Sequence, residues 1–115
     1  DVGLVNAHGT ATRLNDAAEA AALRAALGPA VDGVPVAATK SIIGHTLGAA
    51  GAIEAVATVQ AIASGLVPPT ANLDDPEDLG IDVVRGAPRR ASVGLALSSS
   101  FAFGGHNVVL AIARP

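Results

Sequence analysis

The chain has no cysteine, methionine, tryptophan or tyrosine and only two phenylalanines among 115 residues. Without cysteine this stretch holds no disulfide, no thiolate metal ligand and no thiol nucleophile. Two aromatic rings are too few for a base-stacking platform, and the 7 Lys and Arg are scattered through a chain of net charge -3. A nucleic-acid footprint shows instead as clustered basic residues. No run reaches the ~18 uninterrupted apolar residues of a membrane span, and the N-terminus lacks the basic-then-apolar layout of a signal peptide. These absences leave a soluble domain, with the cytoplasm as the default compartment, no nucleic-acid partner and no membrane partner. Half of the residues are hydrophobic, enough for the modest core of one domain and not of two. Asp1-Val-Gly-Leu-Val-Asn6 reads as the middle of a buried strand without a start methionine, so the chain is expected to be a piece of a longer polypeptide.

The apolar run Leu4-Val5 ends at Asn6-Ala-His-Gly, which suits a buried strand delivering polar groups to a loop at its C-terminal end. An alanine-rich pattern from Asn15 or Asp16, either of them a candidate N-cap, to Leu27 predicts a helix with Glu19 in its first turn and Gly28-Pro29 as its stop. Val34 to Ala38 predicts a second strand, and Lys40 to His45 a loop. The segment Leu47 to Ser64 is rich in Ala and Gly, which predicts a fully buried helix closed by Gly65. Residues 68 to 80, with Pro68, Pro69, Pro76 and the acidic cluster Asp74, Asp75, Glu77 and Asp78, read as a solvated connection. Val93 to Ser99 and Asn107 to Ala113 predict an antiparallel strand pair across the Phe101 to His106 turn. Strand, helix, strand, helix, strand, strand is the order of a layered α/β domain with parallel neighbours, right-handed crossovers and one antiparallel strand.

All three histidines lie in glycine-flanked motifs: His8-Gly-Thr-Ala-Thr12, Lys40-Ser-Ile-Ile-Gly-His45 and Ser100-Phe-Ala-Phe-Gly-Gly-His-Asn107. Glycine beside a ring matters where backbone bends sharply or approaches a ligand, which is how loops assemble a reaction centre. Thr10 and Thr12 carry hydroxyls able to hold neighbouring backbone groups and fix the His8 ring. Lys40 stands five residues before His45, and Glu54 nine residues after it on the following helix. A buried lysine requires such a partner charge. Gly104-Gly105 can aim a backbone N–H at a developing oxyanion, while Phe101 and Phe103 shape an apolar slot; acyl chemistry uses both.

His-Gly-Thr-x-Thr, Lys-x4-His before an Ala/Gly-rich helix, and Phe-x-Phe-Gly-Gly-x-Asn together resemble the C-terminal part of elongating β-ketoacyl-ACP synthases, of the thiolase-like superfamily. The resemblance spans nearly the whole chain. Asp16, Glu19 and Pro68-Pro69-Thr70 fit it as well. It implies a thiolase-like α/β fold of two duplicated halves in a homodimer, with residues 1–115 forming a partial C-terminal ketosynthase domain. The leading strand and helix of that half and the whole N-terminal half, with its catalytic cysteine, are then absent, and the piece alone is expected to be inactive. The implied reaction is decarboxylative Claisen condensation in fatty-acid or polyketide elongation, on substrates carried by the phosphopantetheine of acyl carrier protein. No cofactor is required.

By the same resemblance, neutral His8 and His45 donate hydrogen bonds to the thioester oxygen that becomes an enolate, each worth ~3 kcal/mol. Lys40 pairs with Glu54 and orients His45, and the Phe103 N–H completes an oxyanion hole with the cysteine's own amide. Phe101 and Phe103 form a gate, and His106 is structural. Asn6, Glu54 and Ser98 match positions that ligate a structural monovalent cation in some members. Two departures stand out: Ala102 where the family usually has glycine, and Ser99 where it usually has asparagine. They bear on gate motion and substrate range. Initiating relatives use one histidine and one asparagine, so the histidine pair indicates the elongating type. The alternatives are a non-catalytic partner subunit resembling a chain-length factor and a free-standing acyl-binding module.

Overall fold

The computed structural model describes residues 1–115. Its elements in chain order are β1 (Leu4–Asn6), α1 (Arg13–Leu27), β2 (Pro35–Ala37), α2 (Lys40–Ile43), α3 (Ala50–Ser64), β3 (Leu66–Val67), β4 (Asp82–Val83), β5 (Arg89–Arg90), β6 (Leu95–Ala102) and β7 (His106–Ala113). Five strands form one sheet in the order β4-β2-β1-β6-β7, parallel except for β7, which runs antiparallel to β6. The mixed α/β fold expected from the alternating pattern is thus present. Strands β3 and β5 make a separate antiparallel pair.

Alternation along the short central strands sorts the core into two layers, because successive side chains point to opposite faces. Leu4 and Ala37 face α3, where they pack with Ala61, Ile62 and Ala96. Val5 and Val36 face α1, where they pack with Leu23, Val31 and Val34. The C-terminal ends of β1 and β2 lie side by side, Asn6 opposite Ala37 on one flank and opposite Ser98 on the other. The chain segments that follow those two ends carry His8, Lys40 and His45.

Several expectations need correction. Helix α1 starts at Arg13 with extended Thr12 as its N-cap residue, three residues before Asn15 and four before Asp16, the two candidate caps, so Glu19 lies in the second turn. Asn15 instead spends its amide on the Asp16 carboxylate. Lys40 opens the short helix α2 rather than lying in a loop. A short strand not expected from the sequence, β4, follows the solvated connection and joins the sheet edge, with Pro35 opposite Asp82. The last two strands reach further than expected and leave only Phe103–Gly105 as the turn.

Helix α3 is also not fully buried. Only Ala50, Glu54, Thr58, Ala61 and Ile62 face the sheet, a stripe at helical spacing, while Ile53, Val56 and Val59 are exposed. The 18 residues Leu47–Ser64 have the length and apolar content of a membrane-crossing segment. Glu54 sits in the middle of that segment, ion-paired with Lys40, and the segment lies against the sheet.

Ile62 sits at the centre of the α3 layer, 5% exposed. Ile62→Ala in the polypeptide carrying this chain should cost about 2–5 kcal/mol, read as a lower urea midpoint with unchanged secondary structure.

Candidate active site

His8 leaves β1 on a turn held from beneath by a carboxylate. The backbone N–H of His8 donates to Glu19 Oε1 at 2.8 Å and that of Gly9 to Glu19 Oε2 at 3.0 Å. The threonine hydroxyls expected to do this bond to each other instead, at 3.0 Å. Sequence reasoning placed Glu19 on α1 without a role. Its signal was a charged residue beside Ala20 and one turn before Leu23, both on the buried face of the helix. Gly9 holds φ at +45°, and a Cβ there would lie 2.7 Å from the Ala38 Cβ, so only glycine lets this turn meet the end of β2.

Lys40 is buried and ion-paired with Glu54, which is 1% exposed. Its ammonium also stands 3.3 Å from His8 Nδ1. An ammonium has only donors, so Nδ1 of His8 must accept and the ring proton sits on Nε2. His45 lies in the segment between α2 and α3, where Gly44 turns the chain with φ +78°. The Leu47 N–H donates to His45 Nδ1 at 3.2 Å, which again leaves the proton on Nε2. The two rings meet edge to face, with centroids 5.9 Å apart and planes at 89°. The Phe101 ring lies on the other side of His8, at 5.3 Å and 53°.

Burial, then the Lys40 charge and then His45 hold the His8 imidazole below its ordinary 6.5, against a smaller opposing effect of Asp16. Burial raises the Glu19 carboxyl above 4.5, with the His8 and Gly9 N–H bonds pulling the other way. The centre therefore presents a ring kept neutral with its Nε2–H directed away from Lys40, and a second ring of matching tautomer against it. Two such N–H groups are donors of the kind that stabilise a developing oxyanion.

The structure brings His8, Lys40, His45, Glu54 and Phe101 together. Phe103 is not part of the cluster, for its side chain is fully exposed at the tip of the β6–β7 hairpin, next to Gly104 and Gly105, both at φ +79°. Ala102 is extended, with φ -139° and ψ 163°, a conformation open to alanine as freely as to glycine. His106 pairs with Ala102 in the hairpin, away from the other two histidines in sequence and strand position. A cavity of about 450 Å³ reaches Thr10, Thr12, Glu19, Lys40 and His45 and runs over an apolar floor that includes Leu23 and Ile81.

Behind Lys40, the Asn6 amide donates to the Glu54 carbonyl and to Thr58 Oγ1, each at 3.1 Å, and its oxygen accepts from the Thr39 hydroxyl at 2.6 Å. Glu54 Oε2 is the buried side-chain atom without a partner.

A family model described as "Beta-ketoacyl synthase, C-terminal domain" matches residues 1–74. The chain belongs to the β-ketoacyl synthase family. It is 51% identical over 114 residues to the 3-oxoacyl-[acyl-carrier-protein] synthase 2 of Synechocystis, covering 98% of this chain and 27% of that protein. Among solved structures it superposes on the ishigamide ketosynthase/chain length factor with a TM-score of 0.92 at 36% identity, over 99% of this chain and 28% of that one. A ketosynthase of a type II polyketide system in complex with its acyl-carrier protein gives 0.91 at 35% identity, over 98% and 28%. The chain thus spans little more than a quarter of the β-ketoacyl synthases it matches, and their thiolase-like fold is its fold.

Two measurements check the electrostatics of this synthase segment. Glu19→Gln turns an acceptor oxygen into a donor facing an N–H, and leaving one buried N–H unpaired should cost about 1–3 kcal/mol of stability, read by urea unfolding. The lowered His8 value means that the unfolded chain binds this proton first, so stability should fall as pH drops below 6.5. An NMR titration of His8 should give a midpoint under that value.

Proposed function

We propose that the polypeptide carrying this chain catalyses decarboxylative Claisen condensation of malonyl-ACP with an acyl-enzyme thioester in fatty-acid or polyketide elongation. The observation that supports this reading is the pair of neighbouring imidazoles, each with Nδ1 occupied and its proton therefore on Nε2.

In this reaction a cysteine outside residues 1–115 holds the acyl group as a thioester. When malonyl thioester loses carbon dioxide, the electrons of the breaking C–C bond flow to the thioester carbonyl and charge its oxygen. His8 and His45 donate from Nε2 to that oxygen, with no proton gained or lost by either ring. The α-carbon then attacks the acyl-cysteine carbonyl and the thiolate leaves. The oxyanion formed on that carbonyl is held by the Phe103 N–H together with the cysteine's own amide. Lys40 is the positioning residue for His8: it fixes the tautomer through Nδ1 and, as a fixed positive charge, opposes protonation of the ring. Thr10 and Thr12, which line the cavity with His45, support the approach of a carrier-borne arm. Phe101, Phe103, Gly104 and Gly105 form the mobile wall on the acyl side.

The proposal extends to a structural monovalent cation beside Asn6, Glu54 and Ser98. Support comes from the unpartnered, buried Glu54 Oε2, a hard oxygen of the kind such an ion binds. The Asn6 amide is already committed to Thr39, Glu54 and Thr58, so Glu54 is the side chain free to ligate. The ion would supply fixed positive charge under the Lys40–Glu54 pair. Acyl carrier protein as substrate donor, a homodimer of the full polypeptide and a cytoplasmic setting complete the reading. The missing strand, helix and N-terminal half belong to it too. Retention of His8, Lys40 and His45 argues against a non-catalytic chain-length-factor role, since such a subunit has no use for them.

In the full-length protein, His45→Ala should lower carbon dioxide release from malonyl-ACP by roughly 10²-fold, the usual cost of one oxyanion donor. Undiminished release would remove His45 from this role.

A further inference from the structure

The ladder between β2 and β4 ends at a threonine. The Val84 N–H donates to the Val36 carbonyl at 2.8 Å, so the next rung of a parallel pair would run from the Ala38 N–H to the Val84 carbonyl. Thr70, which follows Pro68-Pro69, takes both ends of that rung. Its N–H donates to the Val84 carbonyl at 2.7 Å, and its Oγ1 accepts from the Ala38 N–H at 3.1 Å. One residue thereby keeps both strand groups paired while standing between the strand ends. The Ser41 hydroxyl fastens the next residue, accepting from the Ala71 N–H at 2.8 Å and donating to the Ala38 carbonyl at 2.6 Å.

Ala38 is where the two histidine-bearing segments touch. Gly9, next to His8, rests on it so closely that a Cβ on Gly9 would lie 2.7 Å from the Ala38 Cβ. Lys40 follows two residues later, with its ammonium 3.3 Å from His8 Nδ1. A methyl side chain has no rotamer to adjust, so a shift of the Ala38 backbone passes directly to its neighbours. Without the Thr70 hydroxyl, the partner the ladder offers the Ala38 N–H is the Val84 carbonyl. Reaching it draws Ala38 toward β4, away from the β1 side of β2 on which Gly9 rests.

We propose that Thr70 is a positioning residue for His8: it occupies the last rung between β2 and β4 and so holds Ala38 against the His8 turn. Its consequence for rate rests on the condensing-enzyme reading above; its effect on His8 does not. Thr70 also lines the cavity, and a substrate contact would show in KM where positioning shows in kcat.

The test compares Thr70→Val, which keeps the shape and loses the acceptor, with Thr70→Ser, which keeps the acceptor, in the full-length protein. The titratable groups that face His8 are Lys40, His45 and Asp16, and both variants retain them. In an NMR titration Thr70→Val should move the His8 midpoint upward, toward 6.5, as the ring loses the nearby Lys40 charge and some burial. It should also lower kcat for carbon dioxide release from malonyl-ACP by roughly 10-fold with KM unchanged, less than loss of an oxyanion donor outright. Thr70→Ser should return both to the parental values. Ser41→Ala removes the second fastener and should shift the midpoint in the same direction by a smaller amount, which decides the matter if Thr70→Val does not fold. The proposal is overturned if Thr70→Val, or in that case Ser41→Ala, leaves the midpoint at the parental value, whatever happens to KM or to the melting temperature. It is equally overturned if Thr70→Ser moves the midpoint as far as Thr70→Val. A raised midpoint with undiminished decarboxylation would uphold the placement of His8 by Thr70 and sink the catalytic reading of His8 instead.

Discussion

The buried ion pair between Lys40 and Glu54 ties together three elements that share no local sequence. Taking two charges out of water costs several kcal/mol per ion, repaid only when geometry and further hydrogen bonds are good. Here Lys40, at the start of α2, also meets His8 beyond the end of β1, while Glu54 belongs to α3. Asn6 closes the circuit by donating to the Glu54 carbonyl and to Thr58, and by accepting from Thr39, the neighbour of Lys40. Each polar group is held by one from a different element. The network therefore joins the apolar contacts in setting how α3 approaches the sheet, and with it the site of the first imidazole.

Much of the architecture was legible because it rests on local periodicity. The runs around Val5, Val36 and Leu97 read as strands and became neighbours in one sheet. The Ala-rich stretch ending at Gly28 read as a helix and is one. What failed was set by tertiary context. Asn15 has the chemistry of an N-cap, yet α1 begins at Arg13. The Ala/Gly content of α3 suggested burial on every side, whereas within this chain the sheet covers only the stripe of Ala50, Glu54, Thr58 and Ala61. Composition reports how closely a helix can be approached; it does not report how many neighbours approach it. Strand β4 was missed because two residues beside an acidic, proline-rich loop carry too little pattern to declare a strand.

At the site, the residues legible in sequence were those whose chemistry is unusual beside glycine: His8, Lys40 and His45. Partners that act through backbone amides were not legible. Glu19 holds the His8 turn by accepting two main-chain N–H bonds, and Leu47 reaches His45 with a main-chain donor. The Leu47 contact leaves no side-chain signature, since any residue but proline has an amide to offer, and Glu19 showed only as a charge on the buried face of α1, with nothing to name the amides it holds. The tautomers of the two rings are set by the Leu47 amide at His45 and, at His8, by a lysine thirty-two positions away.

Gly9 gives the arrangement its spacing. With no side chain on that residue, the turn after β1 rests directly against Ala38, at the mouth of β2. The two histidine-bearing segments issue from those adjacent strand ends, so their separation is governed by the bulk of one position that carries none. A methyl group there would act as a shim, prising the first imidazole away from the second. The distance between the two rings is in that sense measured out by a hydrogen atom.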